Sequence, residues 1–146
     1  MTKLKIFLLA LCLLPGGLNA AKATETVDLW LLEDSMHIYQ PNEIFRQFPS
    51  RFAPLETYNL NFGLSNNEYW IVVDVKNSNR STYNGRLVID YGLLKNVSLF
   101  EIKGVSAFEI KKTTSSHAYI YNISVEPHTK TQFLLHINGE GTPAIL

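Results

Sequence analysis

Tyr69-Trp70-Ile71-Val72-Val73-Asp74-Val75-Lys76 decides the fold class. Read with a period of two, Tyr69, Ile71, Val73 and Val75 fall on one side. Trp70, Val72, Asp74 and Lys76 fall on the other. Successive side chains of a strand point to opposite faces, so the first set predicts a core face and the second a partly solvated one. The same period runs outward toward the C-terminus. After a turn at Asn77-Ser78-Asn79-Arg80-Ser81, Leu87, Ile89 and Tyr91 alternate with Arg86, Val88 and Asp90. Residues 97–102 and a short piece at 107–111 read as strands, and 113–117 as polar loop. Tyr119, Tyr121, Ile123 and Val125 line one strand face, and Phe133, Leu135 and Ile137 line another, with a turn at Glu126-Pro127-His128 between them.

Toward the N-terminus, residues 27–32 and 36–39 read as strands, and Leu60 and Phe62 alternate with Asn59 and Asn61 before Gly63. The one helical stretch is 41–48, where Pro41 suits a first turn and Ile44, Phe45 and Phe48 share a face. Many short strands at about ten-residue spacing, with one short helix, predict an all-β antiparallel sandwich or jelly roll. An up-and-down barrel is the alternative. Strands do not alternate with long helices, which argues against a parallel α/β fold.

The first residues carry a different message. Lys3 and Lys5 precede an unbroken apolar run from Ile6 to Leu14, then Pro15-Gly16-Gly17, then small residues at Ala20, Ala21 and Ala23. That order is the secretory leader pattern, and a nine-residue run falls short of the ~20 needed to span a bilayer. The expectation is a leader over 1–23 and one exported, soluble domain over 24–146. Cleavage removes Lys3, Lys5 and Lys22 of the 13 basic residues, leaving 10 against 13 acidic, a net charge of −3. It also removes Cys12, the single cysteine, so the exported domain has no disulfide and no thiolate ligand. A mildly acidic chain without a basic run has no electrostatic footprint for nucleic acid.

Catalytic patterns are sparse. His37, His117, His128 and His136 lack metal-ligand spacing, and no nucleophile elbow, P-loop or dinucleotide fingerprint occurs. No catalytic residue, metal or cofactor is therefore predicted. Asp74 and Asp90, on neighbouring predicted strands, are the one carboxylate pair that a small hydrolase could use; the plainer reading is solvent-face residues paired with Lys76 and Arg86. Binding is better supported than catalysis. Trp70 falls on the face opposite Tyr69 and Ile71, where a partly exposed indole would offer a platform for a sugar or other small ligand; in a two-layer fold, where aromatics mostly fill the core and seal edges, an ordinary packing role is the plainer reading. Arg86 and Asp90 are its candidate polar partners.

Several blocks occur in a telling order. They are Leu32-Glu33-Asp34, Phe52-Ala53-Pro54, Asn59-Leu60-Asn61-Phe62-Gly63-Leu64-Ser65 followed by Tyr69-Trp70, and Asp90-Tyr91-Gly92-Leu93-Leu94-Lys95-Asn96-Val97-Ser98-Leu99-Phe100. Together they resemble the second type of extracellular domain of bacterial seven-transmembrane receptors with diverse intracellular signalling modules. Lys95-Asn96 departs from that family's more usual aspartate-containing pair, and Phe100 stands where it has tyrosine. The resemblance covers about residues 27–146. It implies a periplasmic sensor domain, similar in fold to carbohydrate-binding modules, that binds a carbohydrate or small molecule without catalysis. It also implies downstream membrane helices, so the chain is expected to be the N-terminal part of a longer receptor. A stand-alone secreted carbohydrate-binding or adhesion module is the second reading.

Overall fold

The computed structural model describes residues 4–9, 25–56, 59–60, 66–90, 96–114 and 118–138. In chain order the elements are β1 (Leu4–Leu9), β2 (Glu25–Asp34), α1 (Pro41–Ile44), one 3₁₀ turn (Phe45–Gln47), β3 (Ala53–Leu55), β4 (Asn59–Leu60) and β5 (Glu68–Asn77). They continue with β6 (Tyr83–Asp90), β7 (Asn96–Lys103), β8 (Ser106–Ile110), β9 (Thr113–Thr114), β10 (Tyr119–Val125) and β11 (Thr129–Asn138). The strands form two sheets, β4-β1-β6-β10-β9 and β3-β2-β5-β11-β7-β8. Every described pairing is antiparallel. The all-β sandwich with one short helix read from the sequence is the observed class.

Alternation builds the core as expected. Tyr69, Ile71, Val73 and Val75 of β5 join Leu135 and Ile137 of β11 and Leu99 of β7 on the inner face of the second sheet. Leu87 and Ile89 of β6, with Tyr121, Ile123 and Val125 of β10, meet them from the first sheet. Aliphatic side chains fully removed from water contribute roughly 1.5–3 kcal/mol each, so this layer is the main source of stability.

The other face of the second sheet departs from expectation. Trp70, Val72 and Leu134 are not partly solvated; they are buried with Leu32, Ile44 and Phe52 in a second apolar cluster. The segment from α1 to β3 lies over them. Pro41 opens α1, Ile44 is fully buried, and Phe45, Phe48 and Trp30 pack against the cluster. Phe48 meets Trp30 and Phe52 edge to face, with ring centroids 5.5 and 5.6 Å apart. The helix read over 41–48 is therefore real in its apolar face, though it tightens to 3₁₀ after Ile44. Strand alternation marks two faces of β5 but does not say that a remote segment seals the second.

Three further differences are local. Residues 36–39 are not a strand. The buried Asp34 carboxylate accepts the backbone N–H groups of Ile38 and Tyr39, each at 3.1 Å, and His37 takes a left-handed φ of 53°, so the chain curls. Residues 113–114, read as loop, pair with Tyr119 and Ile120 as β9. Leu4–Leu9, the heart of the expected leader, is placed in the first sheet as β1, beside β6 from Lys5↔Asp90 to Leu9↔Arg86. The expectations for Phe62, Gly63, Tyr91 and residues 139–146 lie outside the described residues.

Candidate functional site

The predicted platform does not assemble. Trp70 is 1% exposed, and one face of its indole stacks on the His136 ring at 3.9 Å and 13°. Its expected partial exposure is corrected by the α1–β3 cover, which buries that side of β5. Arg86 is exposed on β6 of the other sheet, on the strand face opposite Leu87 and Ile89, and Asp90 stands at the β6 end opposite Lys5. The three residues thus belong to opposite sides of the sandwich. The carboxylate pair separates in the same way. Asp74 lies on β5, opposite Asp28 and Gln132, while Asp90 lies in the first sheet. Asp74 is 5% exposed, and its partner is Lys130 at 2.6 Å rather than Lys76. A pair divided between two sheets cannot flank one glycosidic bond, because the core lies between them.

Among the described residues, a concave surface lies elsewhere, on the flank where the β7–β8 hairpin of one sheet faces β10 of the other. The turn of that hairpin is Gly104-Val105, and positive φ at Gly104 alone (64°) is the type II′ pattern that suits strand twist. One groove of about 560 Å³ is lined by Asn96, Ser98, Glu109, Lys111, Lys112 and Tyr121, among others. A second, of about 500 Å³, runs on past Ile110 between Glu101, Lys103, Asn122, Ser124 and Thr131. Ile110 lines both, so the two are neighbouring stretches of one flank.

The groove floor is built by alternation. Tyr121 points inward from β10, is almost fully buried, and donates its hydroxyl to the Val97 carbonyl at 2.8 Å, tying the first sheet to the second. Burial pushes its phenol up to about 12, with nearby Tyr119 and Glu109 adding in the same direction. Tyr121 is therefore neutral and fixed at ordinary pH. Lys112 lies 5.0 Å above the Tyr119 ring, a cation–π contact that holds the ammonium at the groove. Glu101 and Lys103 pair at 3.1 Å on the rim of the second stretch. The arrangement can bind: an aliphatic ridge at Ile110 and donors and acceptors of both signs, above a buried tyrosine that holds the two sheets in place.

No sequence reading singled out this flank. Tyr119 and Tyr121 were visible as a strand face and 107–111 as a short strand, but their approach is set by two sheets facing each other. Among the described residues, no cluster of three His, Asp or Glu side chains has metal-holding geometry, and no helix is long and apolar enough to cross a membrane. A second polar cluster exists at the far end of β5. There Glu68 accepts from His136 at 2.9 Å and stands 3.3 Å from His37. Through His37 it holds the 35–39 loop against the sheet.

Comparison with known proteins gives one match. The family model described as "7TMR-DISM extracellular 2" matches residues 26–145. No curated protein and no solved structure matches the chain.

Proposed function

Because this chain belongs to the 7TMR-DISM extracellular 2 family, a family of receptor sensor domains rather than enzymes, we propose that it senses a carbohydrate or similarly polar small molecule outside the cell. The observation that carries the proposal is the flank groove between β7–β8 and β10, with its fixed Tyr121 floor and its mixed polar rim. Sugars present both apolar ring faces and many hydroxyls. A site for them needs an apolar surface beside convergent donors and acceptors, which Ile110, Asn96, Ser98, Glu109 and Lys112 supply above the buried Tyr121.

Residues 1–23 serve, in this reading, as the export leader. The jelly-roll-like domain that follows reports occupancy by changing its orientation relative to downstream membrane helices. A ligand shifts such an equilibrium only by its differential affinity for the two orientations, so the groove must differ between them. The groove sits between strands of different sheets, and small sliding of one sheet over the other would alter it.

The test is a thermal-shift and calorimetric screen of neutral and acidic oligosaccharides against the exported protein and its Lys112→Glu and Ser98→Trp variants. We expect at least one ligand to raise Tm and both variants to weaken it about tenfold or more, since each removes or blocks a groove contact. A ligand whose affinity ignores both variants would move the site away from this flank.

A further inference from the structure

The first sheet has a feature that the sensing reading leaves unused: the strand beside β6 is the one that export would take away. Between β4 and β6 lies β1, within residues 1–23. Its loss leaves β6 bordered by β10 on one side and opens the backbone donors and acceptors of residues 86–90 on the other. An open edge of this kind is a template for another strand.

We propose that this edge is a self-association surface: in the processed chain, two copies pair antiparallel along β6 and fuse their first sheets into one. The proposal rests on the leader reading. It fixes the occupant by direction, face and charge.

Direction comes first. The β1 slot accepts a strand antiparallel to β6. β4 is antiparallel to β1 and hence parallel to β6, so closing β4 onto β6 would build a different, parallel ladder from a two-residue strand. A second β6 related by a twofold axis is antiparallel by symmetry.

Face comes second. Leu87 and Ile89 are buried toward the core while Arg86 is exposed, so a register that places Leu87 opposite an outward position breaks the apolar layer. Only registers centred on a residue keep inner positions opposite inner ones.

Charge decides among those. With the axis at Val88, Leu87 lies opposite Ile89 of the second copy, and Arg86 opposite Asp90 of the second copy, twice. Centring on Leu87 instead sets Arg86 opposite Val88, and Asp90 opposite Asn84. Centring on Ile89 sets Asp90 opposite Val88. The Val88 register alone joins opposite charges across the seam and extends the Leu87–Ile89 layer. Arg86 and Asp90, which do not form a site with Trp70, thus acquire a joint role.

The experiment expresses the full chain in an exporting bacterium, reads the mass of the released product, and measures its oligomeric state by light scattering on a sizing column. We expect a product that has lost the first 20 to 23 residues and is dimeric. Arg86→Asp alone and Asp90→Arg alone place like charges together and should weaken dimerisation about tenfold or more, while the double exchange restores it. Val88→Lys, which sets two ammonium groups at the axis, should give monomers with an unchanged β-type circular dichroism spectrum. A processed product that is monomeric overturns the β6 seam while the leader stands, and indicates that β4 or another part of the chain closes the edge. A dimer indifferent to the charge exchange and to Val88→Lys also overturns it. A mass that retains residues 1–23 sinks the leader reading, and the seam with it.

Discussion

Asn77 is a single residue that holds several elements. It is fully buried, and its side-chain amide donates to the Ser81 carbonyl at 2.8 Å, to Val125 at 2.9 Å and to Glu126 at 3.2 Å. Its carbonyl oxygen accepts the Asn79 N–H at 3.0 Å. The end of β5 in one sheet is thereby fastened to the end of β10 in the other and to the 78–82 connection. Asn77→Ala removes the donor from three main-chain carbonyls at once. Buried groups left without partners cost roughly 1–3 kcal/mol each, partly recovered by water at the corner, so the expected loss is about 3 kcal/mol. Urea unfolding followed by tryptophan fluorescence checks this. A loss within about 0.5 kcal/mol would show that the corner holds without its amide.

The β7–β8 hairpin is the element on which the groove depends. It is joined to β11 through β7, and its outer strand β8 is the last of that sheet among the described residues. The outer edge of β8 is partly closed by α1, where the Asn42 side chain accepts the Ala107 N–H at 2.7 Å. The hairpin's direction is set at Gly104. A side chain there would meet no neighbouring atom, so any penalty comes from the left-handed φ of 64° alone. Gly104→Ala should therefore destabilise the protein by more than about 1 kcal/mol. It should also raise hydrogen exchange in β8 more than in β5, because β8 is the strand the turn positions. Equal exchange in both strands would contradict that assignment.

At the scale of the molecule, the sandwich is closed by aromatic side chains that prefer to stay neutral. Burial raises the phenols of Tyr83 and Tyr119, with Glu25 adding to the first, and raises Tyr121 to about 12. An unfolded tyrosine ionises near 10. A raised folded-state value means that the fold favours the protonated form. The stabilisation is complete below about pH 10 and is lost as pH rises toward about 12. Urea midpoints should thus fall steeply across that window. In Tyr121→Phe the fall should be shallower, on top of a pH-independent loss of about 1 kcal/mol for the hydrogen bond to Val97. A variant with the wild-type slope would show that Tyr121 is not the titrating latch. Lysine neutralisation occurs in both proteins and cancels in the comparison.

Much of this architecture was open to reading from the chain alone. Alternation through 69–76 named the inner face correctly, Pro41 marked the helix start, Glu126-Pro127-His128 marked a corner, and the ordered blocks pointed to the family. These are local properties, set by backbone stereochemistry and side-chain period within a few residues. The fate of the second face was not local. Trp70 is polar-edged and shares its strand face with Asp74 and Lys76, so its pattern is that of a half-exposed strand; it is buried because the α1–β3 segment, some twenty residues upstream, folds over it. The groove escaped for the same reason. Glu109, Tyr121 and Ser98 are distant in sequence and meet because the β7–β8 and β10 strands sit at one flank of two facing sheets. The period of a strand determined which side chains share a face, while the stacking of sheets and the path of the covering segment decided which faces water can reach.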